Sequence, residues 1–215
     1  MKDPKPKKER KLTAQEQARK VQFERLCGEM ERQGYHRADL TAGLVEGNLM
    51  ALVLMLPFVL VLGLVYFALH PWARDPMIES SLFYLWLLAA LLALAAVHEL
   101  IHGLTWGLFA KRGFGAISFG IIWSMLTPYC TCSEPLTRRQ YLLGSAMPTL
   151  VLGFGLAAVA TAVGNLFLFL VAELMILAGG GDAYIIFKLL RYRPQGAEVL
   201  YCDHPYELGL AAFEK

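Results

Sequence analysis

The stretch that decides the fold runs from residue 82 to residue 110 and reads LFYLWLLAALLALAAVHELIHGLTWGLFA. It is long enough to cross a membrane as one helix, because about 20 apolar residues span the hydrocarbon core of a bilayer. Three ionisable side chains, His98, Glu99 and His102, interrupt this stretch. A charged group at that depth costs about 2.5–3.5 kcal/mol, so these side chains require a partner or a function.

The spacing of the two histidines indicates what that function is. Positions i and i+4 share one face of a helix, so His98 and His102 can bind the same zinc ion. Glu99 is then placed to act as general base toward a water molecule. The alternative is a buried polar cluster that holds helices together, or the remnant of a lost active site. Apolar flanks on both sides of the motif leave no solvated helix face.

The composition predicts an all-α polytopic membrane protein. Of the 215 residues 56% are hydrophobic, and the charged residues concentrate at the two ends and in short connections. Long apolar runs mark spanning helices. Four are predicted, at Leu49–Leu69, Leu82–Ala110, Leu142–Val163 (interrupted by Pro148) and Leu166–Leu190, with a tight turn at Gly164-Asn165 between the last two. The chain then divides into a basic, amphipathic helical segment (1–48), a membrane-embedded domain (49–190) and a small tail (191–215).

The distribution of basic residues predicts the orientation. Lysines and arginines crowd the N-terminal segment and the connections on the same side, whereas the two opposite connections carry only Arg74. By the positive-inside rule both termini are cytoplasmic. This charge is interpreted as a topology signal and not as a nucleic-acid site. A cleavable signal peptide is not expected, because the first apolar run begins behind a long polar segment.

Two further elements are predicted outside the spans. A helix begins after Thr13, with Glu16 at capping-box spacing, and ends near Gly34. Its apolar stripe must cover either lipid headgroups or the C-terminal tail; the stripe consists of Phe23, Leu26, Cys27 and Met30. The alternating segment from Gly113 to Cys132 predicts a short β-hairpin between the second and third spans. Its free edge could add a substrate strand, or its apolar residues could simply pack under the helices.

The cysteines fall on the predicted cytoplasmic side, where a disulfide framework is not expected. Cys130, Cys132, Cys202 and His204 could together bind a second, structural zinc. Their one-residue spacings are tighter than usual for such sites, so four unrelated side chains, with the thiols reduced, are preferred.

A catalytic zinc site usually has three protein ligands, and the later spans offer two candidates for the third. At 1.5 Å per residue His98 lies about 24 Å into its span, Asp182 about 25 Å and Glu173 about 12 Å into theirs. The depths favour Asp182, which follows three glycines that permit close approach. Glu173 remains a candidate, and Asp182 could instead pair with a nearby cation.

Several of these features resemble known families. A membrane His-Glu-x-x-His helix, a hairpin, a Pro-bearing helix and an Asp beside Gly resemble the site-2 protease group of membrane metalloproteases. More closely, residues 98–103, Gly181-Asp182 and Asp203-His204-Pro205 resemble the bacterial membrane family described as "putative zincin peptidase", over about residues 34–213. The resemblance implies His98, His102 and Asp182 as zinc ligands and Glu99 as the catalytic residue. We therefore expect an intramembrane zinc metallopeptidase that acts on a membrane protein or peptide in the lipid bilayer. The alternative is a non-catalytic membrane scaffold or regulator that retains a structural metal or a polar cluster.

Overall fold

The computed structural model describes residues 13–122, 127–205 and 207–215. In chain order the helices are α1 (Ala14–Arg32), α2 (Leu44–Leu69), α3 (Pro76–Glu79), α4 (Phe83–Gly107), α5 (Arg138–Pro148), α6 (Leu156–Val163), α7 (Leu166–Ala178) and α8 (Gly180–Arg191). The strands are β1 (His36–Ala42), β2 (Ile117–Ile122), β3 (Thr127–Cys132), β4 (Leu136–Thr137), β5 (Val199–Asp203) and β6 (Leu208–Glu214). A 3₁₀ turn, Gly113–Ala116, precedes β2.

Three helical segments are long and apolar enough to cross a membrane: α2, α4 and the run Arg138–Val163 that joins α5 to α6. Helices α7 and α8 qualify together as a fourth, with a bend of 41° between them. The predicted number of spans is therefore reached only when the bent pair counts as one. Most side chains of α2 and α4 face outward: only 11% and 6% of their most apolar 18-residue stretches are buried.

The third and fourth spans are less regular than predicted. After Pro148 the helix widens into a π-helical segment, Thr149–Gly155. Proline lacks the backbone N–H that an α-helical turn needs, and π-bulges are a common way to absorb such a defect. The run predicted as one helix from Leu166 is divided at Gly179, because consecutive glycines weaken a helix. The turn predicted at Gly164-Asn165 is confirmed, with Gly164 at φ +70° and Asn165 capping α7.

The fold is not purely α-helical, which corrects the predicted class. A four-stranded antiparallel sheet has the order β1-β6-β5-β4, so the N-terminal segment and the tail fold together. Strand β1 was not predicted. Its sequence HRADLTA does alternate polar and apolar residues from Arg37 onward, but the segment is short and its partner β6 lies about 170 residues away. The predicted capping box of α1 is present. The apolar stripe of α1 covers the tail: Phe23 and Met30 pack against Ala211 and Phe213.

The predicted hairpin is confirmed by the antiparallel pairing of β2 with β3, in which Phe119 faces Cys130. Residues 123–126, part of the alternating segment, lie outside the described residues. The hairpin packs directly on α4: a Cβ added to Gly103 would lie 2.5 Å from the Phe119 ring. Gly103 therefore admits the hairpin close to the backbone of α4.

Candidate metal centre

Helix α4 places His98 and His102 one turn apart on the face that points into the bundle. Both side chains are buried, with 8% and 4% of their surface exposed. Most other side chains of α4 are apolar and face outward, so the histidines lie on the side of the helix where protein groups can be their partners. The centroids of the two imidazole rings lie 4.9 Å apart.

Asp182 reaches the two histidines from the first turn of α8. Its Oδ2 lies 3.1 Å from His98 Nε2 and 3.4 Å from His102 Nε2. Zinc ligands about 2.05 Å from the ion are about 3.3 Å from one another in a tetrahedral site. The observed separations match that edge length. Among the described residues, the possible ligand atoms of His98, His102 and Asp182 all lie within 4.8 Å of one another.

The hydrogen bond made by His102 Nδ1 determines what can lie between His102 Nε2 and Asp182. His102 Nδ1 donates to the carbonyl oxygen of Gly144 at 2.8 Å, so Nδ1 carries a proton. In the neutral ring Nε2 then has a lone pair that faces the Asp182 oxygen. Two acceptors approach this closely only when a cation lies between them, either a second proton or a metal ion. The donor set, two imidazole nitrogens and a carboxylate oxygen, fits zinc.

Glu99 lies on the adjacent face of α4, toward the hairpin. Residue pairs along β2 and β3 alternate between hydrogen-bonded and non-hydrogen-bonded pairs. Ser133 N–H donates to Ala116 O, so that pair is hydrogen-bonded. Cys130 is therefore in a non-hydrogen-bonded pair, and its N–H points away from β2. That backbone amide interacts with the Glu99 carboxylate. At Cys130 the edge of β3 that faces the site therefore already interacts with Glu99. This interaction restricts the predicted addition of a substrate strand at that residue.

Glu173 lies elsewhere, in the middle of α7. It is 7% exposed, and neither carboxylate oxygen has a hydrogen-bond partner among the described residues. The structure therefore brings Asp182, and not Glu173, to the two histidines. Whether His98, His102 and Asp182 bind a metal stays a prediction.

The glycines before Asp182 serve helix packing. A Cβ on Gly179 would lie 2.0 Å from Thr149 Oγ1, and one on Gly180 would lie 2.7 Å from Ala51 Cβ. A Cβ on Gly181 would meet no described atom within 4 Å. The expectation that these glycines leave room for close approach is correct for the neighbouring helices, which hold the start of α8 in place.

Two aromatic residues at the site were not predicted. Trp106 stacks on the His102 ring, with centroids 4.9 Å apart and an angle of 14°. Tyr141 packs against Trp106, with ring centroids 5.6 Å apart. Trp106 follows His102 by four residues, so the same i, i+4 spacing that relates the histidines could have identified it. No comparable signal marks Tyr141, whose position depends on how α5 packs against α4.

The cysteines do not form a second metal cluster among the described residues. All four are free, as predicted. Burial raises the pKa of Cys132 to about 11, and burial also raises the pKa of Cys130 and of Cys202. Because the thiolate is the form that binds metal or attacks a substrate, burial disfavours the reactive form of these side chains.

Comparison with known proteins identifies the family. Residues 91–197 match the model of the family described as "Putative zincin peptidase", and the chain belongs to this family. The matched region includes all four predicted site residues: His98, Glu99, His102 and Asp182. Comparisons with curated proteins and with solved structures gave no significant match. The expected family is thus confirmed, and it supports a metallopeptidase in general.

Proposed function

We propose that this protein is an intramembrane zinc metallopeptidase that hydrolyses peptide bonds of membrane-associated substrates. The observation that carries the proposal is the convergence of His98 Nε2, His102 Nε2 and Asp182 Oδ2 inside an apolar bundle. Buried polar groups at such depth are costly unless they serve binding or catalysis. The family match covers all three residues.

Zinc bound by these three residues would supply a Lewis acid for the scissile carbonyl and would lower the pKa of a water molecule. The protein positions its ligands for that purpose. The bond from His102 to Gly144 fixes the tautomer that presents Nε2 to the site. Trp106 fixes the plane of the same ring by stacking on it.

Glu99 performs the proton transfers. Its carboxylate takes a proton from water as the water oxygen bonds to the carbonyl carbon. It then donates that proton to the nitrogen of the leaving amine as the C–N bond breaks, which restores the carboxylate. The Cys130 amide orients Glu99 toward the hairpin side of the site.

The site lies toward one end of the bundle, and the Asp182 side chain keeps 21% of its surface exposed. His98 is nine residues from Gly107 at the end of α4, and Asp182 is nine residues from Arg191 at the end of α8. Both are therefore about 14 Å from the same face. We assign that face to the cytoplasm of a bacterial cell, because α1, the four-stranded sheet and the basic ends of α5 and α8 lie there. Both termini are then cytoplasmic.

The test separates metal binding from chemistry. Wild-type protein, Glu99→Gln and His98→Ala are purified in one detergent, and zinc content is measured by elemental analysis. Cleavage is followed with unfolded casein, which offers many extended peptide bonds. We expect one zinc per wild-type chain, less in His98→Ala, and full zinc in Glu99→Gln. Loss of the general base should lower the cleavage rate by about 10²–10⁴-fold.

The matched control is Glu173→Gln, which changes another buried intramembrane glutamate that does not touch the site. It should keep both zinc and cleavage. Wild-type cleavage by Glu99→Gln would overturn the assigned mechanism. Stoichiometric zinc in a wild-type protein that leaves casein intact would favour the scaffold alternative instead.

A further inference from the structure

Asp203, in the C-terminal tail, connects two elements that approach the metal centre from different sides. Its Oδ1 accepts a hydrogen bond from the Tyr141 hydroxyl at 2.5 Å. Its Oδ2 accepts one from the backbone N–H of Cys132 at 3.0 Å. Tyr141 belongs to α5 and Cys132 to β3, so one carboxylate at the end of β5 fixes both. Asp203 lies beyond the region that matches the family model.

The first connection leads to His102. Tyr141 is 1% exposed and packs on Trp106, whose Nε1 donates to the Tyr141 carbonyl oxygen at 3.4 Å. Trp106 in turn stacks on His102. The carbonyl oxygen of Gly144, three residues after Tyr141, accepts the hydrogen bond from His102 Nδ1. The turn of α5 that Asp203 secures thus supports both the ring plane and the tautomer of this histidine.

The second connection leads to Glu99. Cys132 and Cys130 lie on the same outward edge of β3, because residues two apart in a strand present their amides in the same direction. Asp203 accepts from the first amide, and Glu99 interacts with the second. The position of the hairpin edge relative to the tail therefore sets the position of the Glu99 carboxylate.

We propose that Asp203 is a positioning residue that fixes the ligand His102 and the base Glu99 relative to each other. The four-stranded sheet, whose strand β5 contains Asp203, is thereby part of the catalytic unit. This inference rests on the proposed function. Two acceptor oxygens are required, because the two donors come from different directions. An asparagine at this position has one carbonyl oxygen and an amide NH₂ that cannot accept. The alternative is that Asp203 only fastens the tail to the membrane domain.

The test uses Co²⁺ as the metal probe, because its visible absorption reports the coordination geometry without any substrate. Asp203→Asn should bind Co²⁺ about tenfold more weakly and show an altered spectrum, in line with the effect of lost outer-shell partners. Tyr141→Phe removes the same hydrogen bond by deleting one hydroxyl, and should weaken Co²⁺ binding with little loss of folded protein. In the double variant the two effects should not add, because both break one connection.

Cleavage of unfolded casein tests the other connection. Asp203→Asn should lower kcat with KM unchanged, and more strongly than Tyr141→Phe, because it alone also releases the β3 edge that orients Glu99. The matched control is Glu207→Gln, which changes a carboxylate in the same tail without touching either connection. It should leave Co²⁺ binding and kcat unchanged.

The readouts distinguish the possible failures. Unchanged Co²⁺ affinity and spectrum in both Asp203→Asn and Tyr141→Phe, with a lower unfolding temperature, would overturn the proposal and assign Asp203 to fastening alone. If Asp203→Asn does not fold, the same comparison is decided by Tyr141→Phe. A wild-type protein that binds Co²⁺ but cleaves no casein would refute the proposed function, while the Co²⁺ affinities would still decide whether Asp203 positions His102.

Discussion

Replacing Gly180 by alanine should separate two helices and displace Asp182. The added Cβ would lie 2.7 Å from Ala51 Cβ, 3.0 Å from the Ala51 carbonyl oxygen and 3.1 Å from its carbonyl carbon. Carbon atoms in contact are normally about 3.5–4.0 Å apart. Since two of the three obstructing atoms belong to the α2 backbone, no side-chain rotation relieves the clash. Helices α2 and α8 must therefore part by roughly 1 Å at this point.

The displacement has two measurable consequences. Overpacking of this kind costs about 1–3 kcal/mol in the free energy of unfolding. Metal sites require ligand distances correct to about 0.2 Å, and Asp182 is only two residues from the clash. We expect zinc affinity to fall at least about tenfold, which corresponds to about 1.4 kcal/mol.

The control is Gly181→Ala, one residue nearer to Asp182. A Cβ there would meet no described atom within 4 Å. Alanine is favoured over glycine in a helix by up to about 1 kcal/mol, so this variant should be as stable as the wild type or slightly more stable. Zinc affinity is measured by competition with a chelator, and stability by denaturant unfolding in the same detergent. Equal stability and equal affinity of the two variants would refute the packing argument.

Three further predictions concern the site, the thiols and the orientation. Asp182→Ala should lose most of its zinc, whereas Glu173→Ala should retain it, because only the former removes an oxygen within 3.4 Å of both histidines; the opposite outcome in elemental analysis would move the third ligand to Glu173. Cys130→Ser should keep one zinc per chain, and a drop in stoichiometry would reveal a second metal site. With impermeant thiol reagents on intact cells, Trp72→Cys, at a position 90% exposed, should label while Gln33→Cys stays protected; the reverse pattern would place the termini outside.

Features that depend on local sequence were predicted most accurately. The helix that contains His98, the capping box at Thr13 and the turn at Gly164 are each specified by neighbouring residues. The hairpin follows from a period-two pattern over residues 117–122 and their partners. In each case the local preference and the final packing agree.

Features that depend on distant partners were missed. Strand β1 exists because β6 supplies hydrogen bonds to it. The depth estimate for Asp182 used a straight helix with a regular rise, whereas the actual segment turns by 41° just before that residue. The position of Tyr141 against Trp106 depends on the packing of α5, which no spacing within α4 reveals.

The pairing of β1 with β6 imposes an order on how the protein is made. Residues 36–42 leave the ribosome early, but their partner, residues 208–214, is synthesised only after all the spanning helices. Contacts between such distant segments form slowly, since a long loop must be closed first. The apolar helices can therefore pack together and bring His98, His102 and Asp182 close to one another before Asp203 has been made. In a partly synthesised chain this cluster would exist without the Asp203 contacts to Tyr141 and Cys132, which can form only after the tail has followed.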